Sequence, residues 1–214
     1  MPSEAEVEDA QEFGLASPLP SVDELRRVAD FCRERDIVLV SDEIHHDLVL
    51  PGAPVHTPTA VVAPDIADRL VTLTSATKTF NIAGAHVGNA IITDPVLRDR
   101  YKARMMALGI SPGLFGLPMV TAVYSPEGAE WVDALRVYVS KNARIFDDAL
   151  ARIPGAKSMK LQSTYLAWVD FSGMGLSAED LLRAPRLLPI RIAAGALGPG
   201  MPAQDLTVSP QNRM

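Results

Sequence analysis

Apolar residues recur at helical spacing from the start of the ordered pattern: Leu25, Val28, Ala29 and Cys32 fall on one stripe, while Arg26, Arg27, Arg33 and Glu34 fall between them. Ser21-Val-Asp-Glu24 reads as a capping box, so the pattern predicts an amphipathic helix from Ser21 to about Asp36. A continuous β-branched and apolar run, Ile37 to Val40, follows directly and predicts a strand covered on both faces in a parallel sheet. Leu70 to Leu73 and Asn89 to Thr93 predict two more short strands, and the proline-rich stretch from Pro51 to Pro64 between the first two reads as loop. Helix, strand, loop, strand is the order of an α/β layered fold.

After Asp94-Pro95 the period becomes helical, over Val96 to Leu108, then Leu114 to Tyr124, then a long helix opened by Ser125-Pro126-Glu127 and stopped by Pro154-Gly155. Trp131, Leu135, Tyr138, Asn142, Ile145, Ala149 and Arg152 share one stripe of that helix and are expected to be core packing. Tyr165, Ala167, Val169 and Phe171 alternate with their neighbours, predicting a strand over Leu161 to Phe171 in a second, smaller sheet, and Ser177-Ala-Glu-Asp180 caps a further helix. The resulting division is a disordered lead-in over residues 1–20, one domain over 21–124, a smaller one over 125–183 and an irregular tail over 184–214 rich in proline and glycine.

Composition narrows the function. The chain has 214 residues, 48% of them hydrophobic, with no apolar run near the roughly 20 residues a membrane-spanning helix needs. A net charge of −6 without a basic run argues against nucleic acid or an anionic membrane as partner and leaves small molecules or proteins. The single cysteine, Cys32, allows no internal disulfide and is expected in the core, and the acidic N-terminus carries no signal-peptide pattern, so a cytoplasmic location is expected.

Two strand ends carry the chemistry. Asp42 follows the first predicted strand and Lys78 the second, and in open α/β sheets ligands sit beyond the carboxyl ends of strands. A lysine that can form a Schiff base and a carboxylate that can keep a pyridine nitrogen protonated are what a pyridoxal phosphate enzyme requires, although a salt bridge or a helix cap uses the same two residue types. A metal site from Asp42, His45, His46 and His56 is rejected, because Asp-Glu-Ile-His-His is not a ligand spacing and adjacent histidines on an extended chain diverge.

The longer strings Ser-Asp-Glu-Ile-His at 41–45, Ser-Ala-Thr-Lys-Thr-Phe-Asn-Ile-Ala-Gly at 75–84, Ser-Thr-Tyr-Leu-Ala-Trp-Val-Asp at 163–170 and Asp-Ala-Leu-Arg-Val-Tyr at 133–138 stand together in order. They resemble the fold-type I pyridoxal phosphate enzymes of the class I/II aminotransferase family, and within it the carbon–sulfur lyase branch, cystathionine β-lyases of the MalY/PatB kind. The resemblance covers about Ser21 to Arg183. It implies part of the large parallel-sheet domain joined to part of a smaller C-terminal α+β domain, with pyridoxal 5′-phosphate as cofactor and an amino acid as substrate. It assigns Lys78 as Schiff-base lysine and proton shuttle, Asp42 as partner of the pyridine nitrogen, and Ser75 as a phosphate ligand. It sets His45 where many relatives have a tyrosine facing the cofactor ring, and His86 where they have a phosphate-binding arginine. The reaction implied is α,β-elimination from a sulfur amino acid such as cystathionine, with transamination sharing its first step, and the family homodimer is expected.

The same resemblance exposes departures. The family's phosphate loop and ring-stacking aromatic have no counterpart here, and Ala16-Ser-Pro-Leu-Pro20 stands where relatives carry an Asn-Pro-x-Gly turn. Arg186, Arg191 and Arg213 lie in no context matching the substrate-carboxylate arginine. These departures imply a chain truncated at both ends, and hence a second reading: a catalytically inactive remnant of such an enzyme.

Overall fold

The computed structural model describes residues 19–177 and Asp180. The expected lead-in, apart from Leu19 and Pro20, and the expected tail over 184–214 lie outside the described residues. Those described fall into two compact units, one running up to Arg144 and including Lys160–Ala167, the other made of Ile145–Met159 and the residues from Trp168 on.

Helix α1, Val22–Glu34, forms as its pattern requires. The Ser21 side chain accepts from the Glu24 amide, and the Glu24 carboxylate accepts from the Ser21 amide, so both orphan donors are satisfied by one reciprocal cap. Its inner stripe buries Ala29 and Cys32, and Ala29 closes on Ala63, Ile66 and Leu70, with Leu39 packed against them. On the outer side Arg26 and Arg33 both reach Asp65, tying the helix to the turn Pro64–Ile66.

The sheet has the order β1-β2-β3, with β1 at Leu39–Asp42, β2 at Leu70–Thr74 and β3 at Asn89–Ile91. Strands β1 and β2 are parallel, pairing Leu39 with Leu70 and Asp42 with Leu73, whereas β3 runs antiparallel to β2. The expectation that the first strand is covered on both faces is overturned. Val38 and Val40 are 46% and 54% exposed, because α1 and the core cover one face and no described element covers the other. The strand also begins two residues later than its apolar run, since the Ile37 amide still closes the end of α1 by donating to the Cys32 carbonyl.

The proline-rich stretch is not loop throughout. It holds a short helix α2, Thr59–Val62, and the 3₁₀ turn Pro64–Ile66, which deliver Ala63 and Ile66 to the core. After β2 come the short helix α3, Ala76–Thr79, then α4, Pro95–Ala107, capped by Asp94, then α5, Gly116–Val123, and the long α6, Pro126–Leu150. Of the stripe read as core on α6 only Leu135 is even half-buried. Trp131, Tyr138 and Ile145 are exposed, while Val132 and Leu150 are buried and the half-buried Leu135, Val139, Ala143 and Phe146 complete their helical spacing. Both faces of this helix are apolar, so periodicity alone could not choose between them.

In the second unit β4, Lys157–Ser158, pairs antiparallel with β5, Val169–Asp170. Gly155, at φ +84°, lies against the backbone of Gly173, where a Cβ would run into the Gly173 carbonyl. The strand expected over Leu161–Phe171 is mostly absent: only Val169–Asp170 remains of it, and Ser163 instead forms an isolated bridge with Val49. Thr164, at φ +61°, breaks the extended run between them. Ser177 and Asp180 make the reciprocal bonds of a helix start, and the residues that would continue that helix are outside those described.

Candidate functional site

The register of the sheet brings the two strand ends together. Asp42 stands opposite Leu73, and the Glu43 amide donates to the Leu73 carbonyl at 2.9 Å, so both chains leave the sheet at the same edge. One chain turns at once through Ile44 and His45 into the 3₁₀ turn His46–Leu48. The other is capped by Ser75 and enters α3, which carries Lys78.

Lys78 is half-buried and makes no ion pair among the described residues. Asp42 is exposed, and its carboxylate accepts one long hydrogen bond, 3.3 Å from the Ile44 amide. His45 interacts with both charges. Burial lowers its pKa first, the Lys78 cation lowers it further, and Asp42 pulls the other way, so the imidazole is held neutral near neutral pH.

Ser75 is buried and its hydroxyl is committed. It donates to the Val87 carbonyl at 2.8 Å, accepts from the Thr77 amide at 3.1 Å, and lies 2.6 Å from the Thr77 hydroxyl. His86 is exposed, at φ +50° just after the turn Ala83–Ala85; its amide donates to the Ala83 carbonyl at 3.2 Å, and its side chain makes no hydrogen bond or ion pair among the described residues. Asp42, His45 and Lys78 thus share one electrostatic neighbourhood, Ser75 lies at the start of the lysine's helix, and His86 stands apart from these contacts.

Several residues that support this neighbourhood carried no role in the sequence. Glu43, 8% exposed, accepts from the Thr59 amide at 3.0 Å and the Ser41 hydroxyl at 3.0 Å and pairs with His56 at 2.9 Å. Burial pushes its carboxyl up, but these partners outweigh burial and hold it below the ordinary glutamate value. The Thr79 hydroxyl donates to the Asp47 carboxylate at 3.0 Å, and Arg136 Nε donates to the Asp47 carbonyl at 2.7 Å. His45 Nδ1 is 3.0 Å from the Thr164 hydroxyl, and the Tyr165 ring meets the imidazole edge-on at 5.6 Å. Glu43 and Thr164 lie inside strings that the sequence singles out, so their position in those strings was a usable signal. Arg136 likewise lies inside the string at 133–138, whereas Asp47 had no comparable signal, because it acts through contacts with distant parts of the chain.

Comparison with known proteins gives this geometry a setting. The model of the family described as aminotransferase class I and II matches residues 18–191. Cystathionine beta-lyase PatB of Bacillus subtilis (strain 168) is 39% identical over 164 residues, covering 75% of this chain and 42% of that protein. Protein MalY of Escherichia coli (strain K12) is 35% identical over 165 residues, covering 76% of this chain and 41% of that one. Among solved structures, cystalysin from Treponema denticola, which contains a pyridoxal 5′-phosphate cofactor, superimposes with a TM-score of 0.71 at 33% identity, over 78% of this chain and 42% of that one. The chain spans less than half the length of these relatives.

Proposed function

Because the chain belongs to the aminotransferase class I and II family, we propose that it holds pyridoxal 5′-phosphate at the ends of β1 and β2 and serves a carbon–sulfur β-lyase reaction. The substrate class is a sulfur amino acid such as cystathionine. The observation that carries this reading is the parallel register that sets Asp42 beside Leu73, with Lys78 on the short helix that follows β2 and His45 within reach of both charges.

The donor set fits the reactive end of the cofactor. The Asp42 carboxylate is solvent-accessible, with one long hydrogen bond, and Lys78 is half-buried without a carboxylate partner among the described residues. At the phosphate end the fit is poorer, since the Ser75 proton already lies on the Val87 carbonyl and must rotate away from it to meet an anion. When bound, the cofactor supplies a carbonyl that takes up the substrate amine and a ring that accepts the electron pair left at the α-carbon.

This chain's residues then have distinct tasks. Asp42 holds a proton on the ring nitrogen, which keeps the ring electron-poor. Lys78 Nζ takes the α-proton; the electron pair follows to break the bond between the β-carbon and sulfur, and sulfur leaves as thiolate. The enamine product hydrolyses to pyruvate and ammonia. A neutral His45 adds no second cation beside Lys78. The family homodimer and a cytoplasmic location belong to the same proposal; no helix among the described residues is long and apolar enough to cross a membrane.

The test is the visible absorption of the full chain titrated with pyridoxal phosphate, beside Lys78→Ala. A lysine-dependent band removed by borohydride is expected, followed by pyruvate release from cystathionine. Amino-group transfer to a keto acid in place of pyruvate release would reassign the reaction to transamination. The absence of any band beyond that of free cofactor, or a band unchanged in Lys78→Ala, would overturn cofactor binding by this chain and return the remnant reading.

A further inference from the structure

The segment Lys160–Ala167 returns to the first unit and places a buried hydroxyl against His45. The Thr164 amide donates to the Leu48 carbonyl at 2.9 Å, Ser163 bridges to Val49, and the Ser163 hydroxyl reaches the His45 carbonyl at 3.5 Å. These backbone contacts hold Thr164 at φ +61°, a conformation β-branched residues avoid, with its side chain buried. The hydroxyl lies 3.0 Å from His45 Nδ1, its one hydrogen-bond partner among the described residues. The Tyr165 ring closes on the imidazole at 74° to its plane.

This arrangement decides which ring nitrogen carries the proton. If the hydroxyl accepted from an Nδ1 proton, its own O–H would be left in the interior with no acceptor. Donation into Nδ1 satisfies both groups and leaves the proton of the neutral ring on Nε2, which has no hydrogen-bond partner among the described residues. The charges facing the ring are Lys78 and Asp42, and the lysine disfavours a second proton on the imidazole.

We propose that Thr164 is a positioning residue: by donating to Nδ1 it fixes His45 as the Nε2–H tautomer, and so presents a single N–H donor to an oxygen of the ligand held by Asp42 and Lys78. The part of this inference that concerns the ligand rests on the cofactor reading above; the tautomer does not. A hydroxyl on the segment 160–167, more than a hundred residues along the chain, thereby sets the donor pattern at the strand ends.

Long-range proton–nitrogen NMR of the full chain, labelled at histidine nitrogen and assigned with His45→Gln, reads the tautomer directly. A protonated Nε2 and an unprotonated, hydrogen-bonded Nδ1 are expected. Thr164→Ala should give a mixture of tautomers, and Thr164→Ser should restore the single form. A protonated Nδ1 in the unaltered chain, or a pattern unmoved by Thr164→Ala, overturns the assignment. In the cofactor titration, loss of this fixed donor should raise the half-saturating pyridoxal phosphate concentration about fivefold to tenfold in Thr164→Ala, with Thr164→Ser recovering most of it. A cofactor response equal in all three chains overturns the ligand-facing role even where the tautomer is as expected. If the unaltered chain shows no lysine-dependent band, the cofactor reading fails and the ligand-facing role with it, while the NMR result still decides the tautomer.

Discussion

The layer beneath α1 and the long helix α6 are built on opposite principles. Helix α1 has one apolar stripe opposed by charged residues, and that stripe meets Ala63, Ile66 and Leu70. The polar groups next to this layer are also paired across long stretches of chain, as with Glu43 to Thr59 and His56. Helix α6 has apolar residues all round: Val132 is buried on one side, while Trp131, Val137, Tyr138 and Ile145 are exposed on others. A hydrophobic pattern therefore locates a buried face only when the opposite face is polar; where both are apolar, packing partners decide.

Four substitutions sharpen this contrast. Ile66→Ala, in the fully buried centre of the first region, should cost about 4 kcal/mol in urea unfolding, the range for truncating a core isoleucine. A loss below about 1 kcal/mol would mean that this layer is not the stabilising core. Glu43→Gln should cost about 2 kcal/mol at neutral pH, because the buried carboxylate's charge-assisted hydrogen bonds with Ser41, Thr59 and His56 are lost. The folded carboxyl lies below its ordinary value of 4.5, so its stabilising contribution is complete above that pH and disappears as the pH falls through the lowered value. The gap between Glu43→Gln and the unaltered chain should accordingly close in acid, and a gap constant down to full protonation would contradict the pairing.

On α6 the expected effects are smaller and their ratio carries the information. Val132→Ala should cost about 1.5 kcal/mol, two methyl groups' worth of burial. Tyr138→Ser, at a residue 63% exposed, should stay within about 0.5 kcal/mol in the same chain. Thermal melts showing the reverse order would assign the aromatic stripe to the buried side after all.

These contrasts also mark what was legible in the sequence. The capping box at Ser21, the Asp94 cap and the two strand ends are local signals, and each element forms within two residues of its expected place. The positions of the candidate residues were legible to the same extent: Asp42 ends β1 and Lys78 lies on the short helix after β2, where the apolar runs stop, and the parallel pairing of β1 with β2 is the one the first strand's pattern predicts. Less legible was everything fixed by partners distant in sequence. The run from Leu161 alternates like a strand, yet Ser163 bridges to Val49 and Thr164 turns left-handed, since backbone pairing with the segment after β1 overrides the local period. Ser75 shows the same limit at a single side chain. Its place three residues before Lys78 is visible in the sequence, but the carbonyl of Val87 that takes its proton is not.

The turn that carries His45 is held from several directions. Asp47 receives Thr79 on its carboxylate and Arg136 on its carbonyl, the Leu48 amide closes on His45, and the Leu48 carbonyl takes the Thr164 amide. All of these contacts converge on one short stretch of backbone. In hydrogen exchange the amides of His46, Leu48 and Thr164 should therefore behave as one cooperative opening unit, released together and ahead of the sheet beneath them. The geometry of the strand ends would then be present or absent as a whole, in the manner of a latch, with little room for a half-formed site.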